Sequence, residues 1–433
     1  MLRNETGGFS RLHWKRPNLS LRGRQSWTAL GFERNIVILG LSSALGSFGN
    51  LLWYFFLPII LESQGLSPIG IGTVYGIIAL VSVGIQIPAG AILVDRWGRK
   101  RTIVLGGLLS AVSVAAIGLS GNLLTTVIAY IVWGLAGSVT GLAINALIMD
   151  SAPQQRRAAG FGAFYQLAGL AATASPLVGS LFLVRNEQYV IFLASALLTL
   201  GSTAVRAVLL REAPRRPGAR NGAVENKASG IGTSLRDGLS STVRSRTIIA
   251  LTLAYAFYNL FLSSGSNTFT LVVSLYSKDA LHLEPLYLGL MFGLANLFAT
   301  QFSILFGRLA DRHPRERIIA LSWSTEMAFM MAFAYSYSPV LALSSFSLWM
   351  FFGAMDSPAL MALIGDVSPS ERRGITLGFF RTFTNILAVP ALFFTGVLFM
   401  ISHVLPFYAN LSVGLLSLGF FVYAFVAKRP ARA

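Results

Sequence analysis

Two short stretches decide how this chain is organised: AILVDRWGRKR at 91–101 and GRLADRHPRER at 307–317. Each follows one long apolar run and precedes another. When the two stretches are aligned, Asp95 matches Asp311 and the neighbouring basic residues also match. The offset between the copies is 216 residues, the difference between positions 95 and 311. The shared pattern indicates that the chain contains two related halves.

The composition excludes an ordinary soluble protein. Of the 433 residues, 54% are hydrophobic and 12% are charged, about half the charged share that is usual in soluble domains. A soluble fold of this size would expose large apolar patches. We therefore expect an all-α integral membrane protein, in which every backbone polar group of a span is satisfied within its own helix.

The net charge and the residue types limit which partners and cofactors the protein is expected to bind. The net charge of +17 could indicate nucleic acid, but the basic residues lie in short stretches between apolar runs and not on a polar surface, so no nucleic-acid partner is expected. The absence of cysteine excludes disulfides and thiolate metal sites. The four histidines have no ligand spacing, so neither a metal nor another cofactor is predicted.

Twelve runs are long enough to span a bilayer, which needs about 20 apolar residues. They lie at 35–61, 69–94, 102–120, 123–149, 158–184, 189–210, 247–276, 286–310, 318–337, 340–365, 375–401 and 405–427. The predicted domains are an N-terminal tail (1–34), a six-helix bundle (35–210), a linker (211–246), a second six-helix bundle (247–427) and a C-terminal tail (428–433).

The basic residues predict the topology. Almost all of them fall on one side of the predicted spans, whereas the loops of the other side hold only Arg185 and Lys278. The positive-inside rule then places both termini in the cytoplasm. The expected location is the cell membrane, with the protein crossing it many times.

The two opening stretches resemble the loop between helices two and three of the major facilitator superfamily of secondary transporters, which typically reads Gly-x-Leu-Ala-Asp-Arg-x-Gly-Arg-Lys. The first copy has Ala91 in place of the glycine, and the second has Pro314 where a glycine is usual. The family also places an acid before an arginine after helices four and ten, as in Asp150 and Asp366 with the arginines that follow them.

The resemblance covers residues 35–427 and implies twelve transmembrane helices in two six-helix bundles, related by a pseudo-two-fold axis. Transport would then use a site between the bundles. The resemblance to drug–proton antiporters is weaker, because the fourth helix has Tyr130 where an arginine is frequent and the helix-five motif keeps only small residues near Pro176.

The charged loops are candidates for a cytoplasmic gate. An aspartate there can cap a helix or pair with an arginine. Pairs that form when this face closes would bias the access states by about 1–3 kcal/mol. The alternative is that the loops only set the topology, with ion pairs that contribute little in water. The gate candidates are Asp95, Arg96, Arg99, Asp150, Arg157, Asp311, Arg312, Arg315, Asp366 and Arg373.

Three ionisable residues stand out within the predicted spans: Glu326, Asp356 and Arg381. Arg206 lies near the end of the sixth span and is expected to snorkel to the membrane surface. Such residues are costly in hydrocarbon and usually face a cavity or a partner. At 1.5 Å per residue from the loops, Asp356 and Arg381 lie roughly 15 and 12 Å deep, so they could pair. The pair would be either structural or a site where substrate or proton competes. Asp356 and Glu326 are the candidates for proton coupling, although a structural or snorkelling role is favoured for Glu326.

Polar stripes on the first and seventh spans predict the lining of a central cavity. Residues at 43–54 recur every three or four positions, which places them on one face of a helix, and the residues at 259–270 follow the same pattern. Helix packing is the alternative role. The candidates for substrate binding or cavity lining are Ser43, Ser47, Asn50, Tyr54, Tyr130, Gln166, Asn259, Ser263, Ser266, Thr270, Asn296, Asp356, Arg381 and Asn385.

These observations predict a secondary active transporter of a small organic solute, such as a sugar, a metabolite or a drug-like molecule, that works by alternating access and is coupled to protons. Arg381 leaves room for an organic anion. No nucleotide-binding loop or catalytic grouping is present, so ATP use and enzymatic activity are not expected. The alternatives are a facilitative uniporter without ion coupling and, in another class, a non-transporting receptor or scaffold. The expected partners are the substrate, the bilayer and protons, and the expected state is a monomer.

Overall fold

The computed structural model describes residues 33–89, 94, 97–152, 157–185, 187–212, 244–262, 267–368 and 373–427. The first half contains α1 (Arg34–Leu51), α2 (Leu57–Ser63), α3 (Pro68–Ala89), α4 (Arg99–Leu119), α5 (Leu123–Ser151), α6 (Arg157–Val184) and α7 (Gln188–Leu209). The second half contains α8 (Arg246–Tyr258), α9 (Asn267–Asp279), α10 (Pro285–Gln301), α11 (Ser303–Arg312), α12 (Arg315–Ala334), α13 (Pro339–Gly353), α14 (Asp356–Val367), α15 (Arg373–Ile401) and α16 (Leu405–Phe421).

The helices account for all twelve predicted spans. Within the described residues, eight helical stretches are long and apolar enough to cross a membrane, and a ninth is formed if α10 and α11 are one span with a bend of 50°. The other three predicted positions hold α3, the interrupted pair α8 and α9, and α12. α12 is less apolar because it carries Glu326 together with the charges of its first turn.

Several spans are interrupted, which the apolar pattern did not predict. The first span breaks between Leu51 and Leu57, and the tenth breaks after Gly353. Continuous hydrophobicity reports only that a segment can sit in lipid, and such breaks are tolerated where neighbouring protein satisfies the freed backbone groups. At the tenth-span break, for example, the Ser322 hydroxyl donates to the carbonyl oxygen of Phe352 at 2.7 Å.

Some of the helix N-termini are capped by side chains. Asn122 and Ser338 accept hydrogen bonds from first-turn backbone N–H groups of α5 and α13, as residues of these types commonly do. α4 is capped from a distance: the carboxylate of Glu212 accepts from the backbone N–H groups of Arg99 and Lys100, at 2.7 and 3.0 Å. Glu212 therefore ties the end of the first bundle to the start of α4.

The two halves meet along two helix pairs, α3 with α15 and α6 with α10. Glycines allow the backbones to approach closely there. A Cβ added at Gly72 would lie 2.5 Å from the carbonyl oxygen of Leu392, and one at Gly289 would lie 2.8 Å from that of Pro176. Small residues at helix crossings are typical of membrane proteins, in which packing drives association.

Candidate functional site

A cavity lies between the two halves and has three lobes that share lining residues. The wide lobe has a volume of about 960 Å³, the aromatic lobe about 760 Å³ and the acidic lobe about 290 Å³. Asn50 lines the first two lobes, and Ser357 lines all three. We call the whole space the central cavity.

The cavity reaches towards the membrane face on which the described chain begins and ends, here called the terminal side. Gly162 and Met361 line it, and they lie five and six residues from the terminal-side helix ends at Arg157 and Val367. That separation is less than two helical turns. The cavity therefore approaches the terminal side closely.

Ten of the predicted binding residues line the cavity. They come from seven of the predicted spans, in both halves, so the site is assembled by tertiary packing. The ten are Ser47, Asn50, Tyr54, Tyr130, Gln166, Asn259, Asn296, Asp356, Arg381 and Asn385.

Two predicted residues do not line the cavity, and two others lie outside the described residues. Ser43 is buried and accepts a hydrogen bond from Arg206 at 2.8 Å. Thr270 is fully buried in the packing of α9. The stripe pattern assigned both to the cavity because it identifies a helix face and not the neighbour which that face meets. Ser263 and Ser266 are not among the described residues.

The acidic lobe holds two buried carboxyl groups. Glu326 accepts from the Tyr258 hydroxyl at 2.7 Å and from the Trp349 indole N–H at 3.2 Å. Asp356 accepts from the Trp323 indole N–H at 3.0 Å. Both acids are 8% exposed, so Glu326 does not snorkel to the membrane surface.

The broken tenth span shapes this lobe. A Cβ at Gly353 would lie 3.0 Å from a carboxylate oxygen of Glu326, so the missing side chain makes room for the acid. Asp356 begins α14 directly after the break. The break therefore turns Asp356 towards α12, where Trp323 lies.

The predicted pair between Asp356 and Arg381 is not formed. Among the described residues, Asp356 accepts from Trp323 and makes no ion pair with Arg381, which faces the aromatic lobe and is exposed. The sequence argument used depth alone, and residues at equal depth can face different neighbours. Tyr255 lies within electrostatic range of both Asp356 and Arg381.

An aromatic cluster from the first half forms one wall of the aromatic lobe, which Arg381 also lines. The rings of Tyr130 and Trp133 are stacked, with centroids 5.5 Å apart and planes at 15°. The ring centroids of Trp133 and Tyr54 lie 6.0 Å apart, and the indole N–H of Trp133 donates to the Asn50 side-chain oxygen at 3.4 Å. The cavity thus has a ring-rich wall in one half and the charged groups in the other.

Contacts between the halves seal the cavity on the side opposite to the terminal side. Lys278 of α9 pairs with Glu62 of α2 at 2.5 Å. Deeper in, the Tyr54 hydroxyl donates to the Asn267 side chain at 2.7 Å. Because these bonds join the two halves, the structure represents a conformation closed on this side.

The loop charges form pairs within each half. Arg99 pairs with Asp150 at 2.9 Å, and Arg315 pairs with Asp366. Each pair joins neighbouring helices of one bundle, so neither bridges the halves. Asp311 and Arg312 are exposed. Asp95 and Arg96, and the side chains of Arg157 and Arg373, lie outside the described residues.

Several site residues were not singled out from the sequence. Ser357 and Tyr255 line the junction of the acidic and aromatic lobes. Ser357 follows an intramembrane acid and precedes Pro358, which is a detectable pattern; Tyr255 has no comparable mark. Arg206, expected to snorkel, is 8% exposed and donates to the hydroxyls of Ser42 and Ser43.

The sequence and the fold together define a class of membrane carriers. Residues 36–300 and 255–433 match the family description Major Facilitator Superfamily. The chain belongs to this family, and it is an integral membrane transporter built of two six-helix bundles. These matches also confirm the resemblance carried by the loop motifs.

Individual relatives are distant. An uncharacterized MFS-type transporter of Methanocaldococcus jannaschii is 25% identical over 379 residues, which cover 87% of this chain and 91% of the relative. The quinolone resistance protein NorA of Staphylococcus aureus is 23% identical over 362 residues, covering 83% and 88%.

Solved structures share the fold. A D-xylose-proton symporter superimposes with a TM-score of 0.69 at 16% identity, over 89% of this chain and 96% of the symporter. A mutant of the nucleoside transporter NupG gives a TM-score of 0.68 at 14% identity, over 90% and 97%. At these identities the likeness concerns the fold alone.

Proposed function

We propose that this transporter moves a small organic solute by alternating access and couples that movement to protons. The observation that supports this most directly is the pair of buried carboxyl groups, Glu326 and Asp356, in the wall of the central cavity. A carboxyl group that faces a cavity of alternating access can take up a proton on one side and release it on the other.

The topology belongs to the same proposal. The terminal side carries the basic loops and would face the cytoplasm of a cell membrane. The structure, closed between Glu62 and Lys278, would then be an inward-facing state. The loop pairs Arg99–Asp150 and Arg315–Asp366 would brace each half of the cytoplasmic gate, and transport would proceed in a monomer.

Substrates can be sought directly. A thermal-shift screen of the purified protein at two pH values, with quinolones, pentoses and nucleosides among the library, would identify ligands. The hits would then be tested in proteoliposomes under an imposed pH gradient. A saturable, gradient-driven accumulation with counterflow supports a coupled carrier, whereas accumulation that never exceeds equilibrium supports the facilitative uniporter.

Variants of the two acids can show whether they act in proton coupling or in substrate exchange. We expect Asp356→Asn and Glu326→Gln to lower proton-driven accumulation roughly tenfold or more, because an amide cannot carry the proton. Both should retain counterflow, because exchange needs no net proton movement. Glu284→Gln, which changes an exposed acid on the sealed side, is the matched control. Wild-type accumulation in both acid variants would exclude these residues from coupling.

A further inference from the structure

We propose that the substrate of the central cavity is an aromatic organic anion, whose carboxylate binds Arg381 while its ring packs against the wall formed by Tyr54, Tyr130 and Trp133. This inference rests on the proposed transport function and names its substrate class. Its basis is a cation that has no ion-pair partner among the described residues and that lines the same lobe as an aromatic surface.

Arg381 is a membrane-depth cation with an open side. It lies eight residues into α15, roughly 12 Å from the start of that helix. Its guanidinium is exposed to the aromatic lobe. Within the described part of the chain its side chain forms no ion pair or hydrogen bond. A charge at this depth is costly unless water or a partner satisfies it, and a substrate anion would be such a partner.

The nearby carboxyl groups are already held by other donors. Asp356 accepts from Trp323, and Glu326 accepts from Tyr258 and Trp349. Both acids are nine-tenths buried behind these donors. They are therefore poorly placed to satisfy Arg381, whose planar guanidinium suits a carboxylate through two parallel hydrogen bonds.

Polar groups surround the proposed anion position. Thr384 and Asn385 follow Arg381 by three and four residues on the same helix face and also line the aromatic lobe. Asn259 lines it from the seventh span. The Thr384 hydroxyl already donates to the backbone carbonyl oxygens of Phe380 and Arg381. The amide groups of Asn259 and Asn385 are therefore the ones that can orient a bound carboxylate without adding a competing charge.

The aromatic wall suits a ring. Tyr54 and Trp133 are half-buried and present ring surface to the lobe, while Tyr130, which is 1% exposed, stacks on Trp133 and supports it. Aromatic ligands pack on such surfaces in offset or edge-on geometry. The lobe volume of about 760 Å³ falls in the usual range for drug-sized ligands. A ligand that spans from Arg381 to Trp133 would touch both halves and so respond to their relative movement.

A cationic substrate is the competing assignment, because the acidic lobe could attract it. That lobe is small, about 290 Å³, just below the range of drug-sized pockets, and its acids are occupied by indole and phenol donors. The observations therefore favour the anion at Arg381.

The test compares matched ligands that differ only in charge. Purified protein without a gradient is titrated with 2-naphthoate and benzoate, and with 2-naphthamide and benzamide, by thermal shift and calorimetry. We expect the carboxylates to bind more tightly than the amides. In Arg381→Gln, carboxylate affinity should fall roughly 10- to 100-fold, the range for a lost charge-assisted hydrogen bond, while amide binding is unchanged. Retained amide binding reports an intact cavity.

Two further variants sharpen the result. Arg381→Lys keeps the charge and should retain part of the carboxylate preference. Arg308→Gln removes an exposed arginine that does not line the cavity and should change nothing. Equal affinity for carboxylates and amides, tighter binding of the cation 2-naphthylmethylammonium, or no carboxylate binding at millimolar concentration would overturn the proposal. Because binding is measured without transport, these failures are distinct from a failure of proton-driven accumulation.

Discussion

Buried charged groups in this protein are satisfied by neutral donors and acceptors more than by opposite charges. Arg206 donates to two serine hydroxyls, and Glu326 accepts from a phenol and an indole. A hydrogen bond to a charged group contributes about 1.5–3 kcal/mol. Such bonds hold a charged group in place without a fixed counter-charge.

Glycine at position 353 should be needed for the placement of Glu326. In Gly353→Ala the new Cβ would lie 3.0 Å from the carboxylate, so the Glu326 side chain must give way by a few tenths of an ångström, which strains its hydrogen bonds with Tyr258 and Trp349. We expect a loss of stability of about 1–3 kcal/mol and a severalfold lower rate of proton-driven transport, measured by thermal unfolding and proteoliposome assay.

Gly365→Ala on α14 is the matched control, since a Cβ there meets nothing within 4 Å. It should retain stability and transport. If the two alanine variants behave alike, the position of Glu326 does not depend on the space at Gly353.

At the scale of the elements, the interrupted spans and the glycine crossings act together. The break before α14 turns Asp356 towards α12, and the α3–α15 crossing holds the halves together near Gly72 and Gly396. A Cβ at Gly396 would lie 2.6 Å from the carbonyl oxygen of Pro68. Backbone atoms cannot rotate away as a side chain can, so these crossings tolerate no added carbon without a shift of the helices.

The α3–α15 crossing gives a prediction with its control on one helix. Gly72→Ala places a Cβ 2.5 Å from the carbonyl oxygen of Leu392 and should destabilise the protein by about 1–3 kcal/mol through overpacking. Gly84→Ala on the same helix meets nothing within 4 Å and should be neutral or stabilising by up to about 1 kcal/mol, because alanine favours helix.

Thermal unfolding in nanodiscs measures both substitutions. A Gly72→Ala protein as stable as Gly84→Ala would mean that the halves are not in close contact at this point. Transport assays would show in addition whether the crossing must loosen during the cycle.

At the scale of the molecule, the two halves are alike in fold and unlike in chemistry. The first half supplies the aromatic wall, and the second supplies Glu326, Asp356 and Arg381. Where the halves meet on the sealed side, Glu62 and Lys278 occupy positions that differ by 216 residues, the repeat offset itself. The pair therefore joins equivalent points of the two bundles across the pseudo-two-fold axis.

Reversing one charge of this pair should open the sealed side. Lys278→Glu puts two acids where an ion pair stood, and we expect the open population to rise roughly two- to fivefold, since a half-exposed pair contributes up to about 1 kcal/mol. The double variant Glu62→Lys with Lys278→Glu should restore the original distribution. A double variant as open as the single one would contradict an ion-pair role.

The measurement uses spin labels at Ser63→Cys and Ser402→Cys, two exposed positions on opposite halves of the sealed side. The natural chain has no cysteine, so the labels attach only there. Pulsed electron paramagnetic resonance then measures the distribution of distances between the two labels for each charge variant.

The candidate site was partly predictable from the sequence. Asn50 and Asn259, which the polar stripes of the first and seventh spans proposed as cavity residues, both line the aromatic lobe. Ser43 lies on the same stripe but does not line the cavity, because its hydroxyl accepts a hydrogen bond from Arg206. Depth counting placed Asp356 and Arg381 at one level but could not show that a helix break turns the acid towards Trp323.

The sequence by itself determined the membrane spans, the two related halves and the family, because apolar length, basic loops and a repeated motif are local properties. Only the tertiary structure decided which half carries the aromatic wall, which donors hold the two acids, and which side is sealed. Those features depend on how helices distant in the chain pack and where they break. The periodicity of one helix identifies its polar face but not the helix that packs against it. The opening motif thus predicted the architecture, and the packing of α12, α14 and α15 determined the chemistry of the site.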